Sequence, residues 1–109
     1  MRRAILASAV LALAGCRPIS TSVTPLVPGP FAARPEPCEL AVMTEAPRDR
    51  PYQELALIHG LSAGPLTDLL PALKAEGCKL GADAIIIRST TLGQGKQLNQ
   101  ATVVAIRFR

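Results

Sequence analysis

Residues 38–109 predict a small α+β domain, a β-β-α-β-β chain with one helix packed on a face of its sheet. Two observations predict it. Leucines recur at helical spacing over residues 66–80, and two short strand-like runs lie on each side of that stretch. A third observation bounds it. At 109 residues the chain has room for one domain, and with 3% aromatics and no Trp its core must come from Leu, Ile, Val and Ala.

Taken in order, residues 39–44 alternate, with Leu40 and Val42 on one side. Residues 52–59 alternate too, which places Leu55 and Leu57 on one face and Ala56 and Ile58 on the other. Arg48-Asp49-Arg50-Pro51 between these runs reads as a turn or loop. Leu66, Leu69, Leu70, Leu73, Gly77 and Leu80 form an apolar helical stripe opposite Lys74, Glu76 and Lys79. Thr67 or Asp68 can cap its start, which puts Pro71 close to the first turn, where a missing N–H costs little. Gly81 is placed to end it in a left-handed conformation. Residues 83–90 hold Ala84-Ile85-Ile86-Ile87, apolar on both faces as in a central strand. Residues 92–100 read as a loop, and 101–108 alternate again as the closing strand.

The N-terminus reads as an address. Arg2 and Arg3 form a short positive region, residues 4–13 an apolar stretch, and Ala14 and Gly15 the small residues before Cys16. That is the three-part layout of a secretory signal, and its apolar run is shorter than the roughly 20 residues needed to cross a bilayer. Leu13-Ala14-Gly15-Cys16 resembles the lipobox of bacterial lipoproteins residue by residue. The resemblance implies cleavage after residue 15, lipid on the Cys16 sulfur and usually acylation of its new amino group. An ordinary signal peptide with a chance cysteine, or a buried helix, are the alternatives. Several acyl chains make a stable anchor where one would be marginal. Arg17 follows, where lipoproteins of the enteric type carry Asp for inner-membrane retention. The expected location is therefore the cell envelope, at the outer membrane and facing the periplasm.

Residues 16–37 then read as lipidated Cys and tether. Six of the ten prolines fall there, at Pro18, Pro25, Pro28, Pro30, Pro35 and Pro37, with Ser20-Thr21-Ser22 between. Such a segment is expected to be a solvated spacer, about 3.1 Å per residue where it is polyproline II, reaching roughly 65 Å. Docking of this Pro-rich stretch onto a partner is the alternative.

With Cys16 assigned to lipid, Cys38 and Cys78 remain, an even number for an oxidising compartment. A disulfide between them is expected. Two free core thiols, or a redox-active or intermolecular pair, are the alternatives. The stretch Leu70-Pro71-Ala72-Leu73-Lys74-Ala75-Glu76-Gly77-Cys78-Lys79-Leu80-Gly81-Ala82-Asp83-Ala84-Ile85 resembles a helix-to-strand junction of the outer-membrane sensor lipoproteins of the RcsF family and of YbjQ-like small domains. The likeness runs more loosely over residues 38–108. It implies fold better than function. The sensor family has two disulfides where this chain has cysteines for one, which weakens any transfer of stress signalling. Some YbjQ-like domains are labelled metal-binding, but His59 and two paired thiols make a poor metal site.

Catalytic chemistry is not visible. His59 stands alone beside Gly60; Ser62, Ser89 and Thr90 have no evident base, and Gly93-Gln94-Gly95-Lys96 lacks phosphate-loop spacing. Asp83 reads as a strand start. The formal charge of +4 falls to +2 once Arg2 and Arg3 are removed with the signal, and the remaining cations are scattered among Asp and Glu, which argues against nucleic acid. The sequence therefore implies a non-enzymatic lipoprotein without cofactor or metal, bound to membrane through its lipid. Its domain acts either as an interaction or sensor-like module for another envelope protein, or as a structural, self-assembling homo-oligomer.

Overall fold

The computed structural model describes residues 19–94 and 97–109. The signal segment and Cys16 lie outside them. The chain forms β1 (Ile19–Pro25), β2 (Ala41–Met43), β3 (Tyr52–Ser62), α1 (Leu69–Lys79), β4 (Ala84–Thr91) and β5 (Asn99–Phe108). A 3-10 turn, Leu66–Asp68, leads into α1. The five strands make one sheet in the order β1-β3-β5-β4-β2, antiparallel except for the parallel β2–β4 pair at one edge. The fold is a small α+β unit, a sheet with one helix against a face.

The fifth strand corrects the expected tether. Residues 19–25 pair along their whole length with β3, from Ile19 opposite Ser62 to Pro25 opposite Ala56. The chain then stays on the domain. Leu26 N–H donates to the Leu55 carbonyl (2.9 Å) and Arg34 N–H to that of Cys78 (2.9 Å). Val27 and Phe31 pack against the core beside Val23 of β1. The physical reason is the exposed edge β3 would otherwise present: its unpaired backbone groups accept a strand, and Ser and Thr there suit a partly solvated edge. Within the described residues the fold thus extends back to Ile19, not only to residue 38, and residues 19–37 of the expected spacer are built into the structure.

Helix α1 closes as its sequence implies. Asp68 precedes it without a side-chain cap, so Pro71 is its third residue, inside the first turn whose N–H groups have no helical partner. At the other end Gly81 takes φ +74°, Gly81 N–H donates to the Cys78 carbonyl (3.1 Å) and Ala82 N–H to that of Gly77 (3.0 Å). That pair of bonds is the Schellman arrangement.

The core has two parts. Between helix and sheet lie Leu40, Leu55, Ile58, Leu69, Leu73, Ile85, Val103 and Ala105. On the opposite face Ala84, Ile86, Val104 and Ile106 form a second cluster, bordered by Met43, Tyr52, Leu57 and Phe108. The strict alternation expected for residues 52–59 breaks here. A bulge between Glu54 and Ala56 resets the strand, so Leu55 and Ile58 share the helix-side core while Leu57 joins the other cluster. On that second face Arg88 of β4 donates to Glu54 of β3 at 2.6 Å. Since β5 lies between those strands, the ion pair crosses it, and Val104 beneath is fully buried.

Candidate functional site

Cys38 and Cys78 are joined as a disulfide, with their Cα atoms 6.2 Å apart. The bond ties the segment before β2 to the last turn of α1 across 40 residues of chain. In the chain-entropy view that closure contributes about 4 kcal/mol. A second clasp lies beside it. The Arg34 guanidinium donates to the Ala82 carbonyl (3.2 Å) and lies 3.9 Å from the Asp83 carboxylate. The other Asp83 oxygen accepts the Phe108 N–H (2.9 Å), while Asp83 N–H donates to the Ile106 carbonyl (2.8 Å). Asp83 therefore fastens the end of β5 and the strap, residues 26–37, to the start of β4. This is a structural task beyond the strand start that the sequence implies.

An open groove of about 570 Å³ runs along this junction, between the strap and α1. Arg34, Lys74 and Lys79 line it together with Glu36 and Glu39, so neither sign of charge prevails. A smaller apolar cleft of about 160 Å³ lies between the first turns of α1 and the sheet, walled by Leu66, Leu70, Leu73, Ile87 and Val103.

His59 faces away from the helix, half-buried, with Nδ1 2.9 Å from the Thr102 hydroxyl on the neighbouring strand. Ser62 is buried, and its hydroxyl accepts the Gly64 N–H (3.0 Å). Ser89 and Thr90 are exposed on β4. The sheet sets His59 against the Thr102 hydroxyl and not against Ser62, Ser89 or Thr90. Among the described residues no three His, Cys, Asp or Glu side chains converge as metal ligands, and no buried side-chain nitrogen or oxygen lacks a hydrogen-bond partner. Among those residues also, no helix is long and apolar enough to cross a membrane.

Comparison with known proteins finds no matching family model, no matching curated protein and no matching solved structure. The site must be read from its own geometry. Among the described residues it combines the disulfide with an open, mixed-charge groove and a small apolar cleft.

Sequence reasoning found the cysteines but not the strap. The missed residues are Val27, Phe31 and Arg34. Their one signal is the spacing of Val27 and Phe31, two apolar side chains four apart in a segment otherwise rich in proline.

Proposed function

We propose that the chain is the precursor of a bacterial envelope lipoprotein, held through lipid on Cys16, whose domain is a non-enzymatic interaction module. The observation that carries this reading is the run Leu13-Ala14-Gly15-Cys16 directly behind a positive and then apolar leader. The disulfide adds support, because such bonds persist in oxidising compartments. Arg17 supports an outer-membrane address facing the periplasm. The resemblance of residues 70–85 to the RcsF-like sensors supports the fold of the module. One disulfide in place of two leaves their stress-signalling role without support.

The folded strap changes how such a module would work. A free 21-residue tether would carry the domain toward a distant partner. With the sheet starting at Ile19, two residues separate Cys16 from the fold, so a partner has to meet the module at the membrane surface.

The test is cross-linking of the native lipoprotein in living cells, beside a Cys16→Ala chain that cannot be lipidated. Capture of one envelope protein that is lost in the control is the expected result. Self-cross-links alone would replace the reading with a structural, self-assembling lipoprotein. One observation favours that second reading: β1 is an edge strand of seven residues with no Lys and no proline before its last position. It predicts concentration-dependent oligomers of the soluble Cys16→Ala chain in sedimentation.

A further inference from the structure

The strand directions give the domain two unlike ends. The start of β1, the end of β3, the end of β4 and the start of β5 lie together at one of them, since Ile19 pairs with Ser62, Ser62 with Asn99 and Thr91 with Gln100. Two loops close this end, residues 63–65 before the helix and the loop after Thr91. Of the five large apolar side chains exposed in the described residues, three are here: Ile19 (42% exposed), Leu92 (70%) and Leu98 (39%). The other two, Leu26 and Val42, lie near the opposite end, on different edges of the sheet.

The apolar end is held in shape. Asn99 accepts the Gly93 N–H at Oδ1 (2.8 Å) and donates from Nδ2 to the Gly64 carbonyl (2.7 Å). One side chain thereby pins both loops. Gly93 itself packs so closely on the Gln97 carbonyl that a β-carbon has no room. Leu92 is thus presented to the outside on a braced turn.

Charge is distributed in the opposite sense. Residues 59–67 and 89–102 contain no Asp or Glu, and the first carboxylate after the 63–65 loop is Asp68. The far end and its loops carry Glu45, Arg48, Asp49, Arg50, Asp83 and Arg109.

We propose that the Ile19–Leu92–Leu98 end of the domain rests on the lipid bilayer, with these three side chains in the headgroup region. The proposal depends on lipidation of Cys16. Two residues, Arg17 and Pro18, lie between Cys16 and Ile19, so the three steps of chain span at most about 11 Å when extended. The polar layer on each side of a bilayer is itself roughly 5–8 Å thick. A cysteine whose acyl chains enter the hydrocarbon therefore holds the start of β1 at the membrane surface. The end that arrives there is apolar and free of carboxylates, which suits an anionic surface.

The full chain, purified with its lipid and reconstituted in phosphatidylethanolamine–phosphatidylglycerol vesicles, tests this. With Cys16 acylated and Cys38 bonded to Cys78, an introduced cysteine is the free thiol for a nitroxide label. Leu92→Cys reports the apolar end and Asp49→Cys the far one. At position 92 collision with a water-soluble nickel chelate should fall severalfold, and collision with lipid-soluble oxygen should rise, relative to position 49. Equal access to nickel at both positions, with Cys16 acylation verified by mass, overturns the proposal and leaves the anchor standing. Shielding of position 92 from both nickel and oxygen places it between copies of the chain and overturns it too. An unmodified Cys16 in the mass spectrum overturns the anchor and this orientation together.

Discussion

Gly81 carries two constraints at one α-carbon. Its φ of +74° is a region that side-chain-bearing residues enter at a cost of roughly 1–2 kcal/mol. The Ala32 carbonyl of the strap occupies the space where its β-carbon would stand. Gly81→Ala should therefore destabilise by about 2 kcal/mol or more, read as a lower urea midpoint, and should loosen the strap as well as the helix end. Gly77 is a packing case only. A β-carbon there would come within 2.6 Å of Leu40 Cδ1, the far end of a flexible side chain. Gly77→Ala should cost about 1 kcal/mol, because the gain in helix propensity offsets part of the crowding. A Gly77→Ala chain less stable than Gly81→Ala would show that the strap does not press on Gly81.

At the scale of elements, the disulfide and the strap hold the same corner. Reducing Cys38–Cys78 should lower stability by up to about 4 kcal/mol, measured by denaturation with and without reductant. The strap should show itself in hydrogen exchange. The Leu26 and Arg34 amides, bonded to Leu55 and Cys78, should exchange far more slowly than those of a free proline-rich chain. Random-coil exchange at both would return residues 26–37 to the role of spacer. The contrast with β1 explains what sequence could reveal. Helix α1 was legible because its buried positions Leu69, Leu73 and Gly77 repeat at four-residue intervals. Strands β3, β4 and β5 were legible because they bury apolar side chains on both faces. Strand β1 was not, since Ile19-Ser20-Thr21-Ser22-Val23-Thr24-Pro25 buries little and its pairing is decided by the vacant edge of β3, a tertiary fact. The Cys38–Cys78 pair was legible by counting. The apolar end was not, because it joins residue 19 to residues 92 and 98, whose proximity only the sheet register creates.

For the whole molecule, the position of the domain boundary has a measurable effect. A chain starting at residue 38 would lack β1 and the strap, leaving β3 with a bare edge and the helix-side core without Val23, Val27 and Phe31. It should unfold at clearly lower denaturant than a Cys16→Ala chain starting at residue 16, and self-associate through the uncovered edge. Equal midpoints would mean that residues 19–37 add nothing to the fold. The longer chain should melt as one unit, with strand and helix signals lost together, since β1 is bonded to the same strand that carries the core and Thr21 reaches Glu76 of the helix (3.4 Å).

The middle of the sheet belongs to the last strand of the chain. β3 has β1 on one side and β5 on the other, while β4 has β5 and the three-residue β2. Without residues 99–108 the sheet divides into two pairs with no contact through strand bonds. A polypeptide that emerges N-terminus first thus has no continuous sheet until residues 99–108 are free. The five-stranded sheet therefore closes only when β5 is available to join β3 to β4.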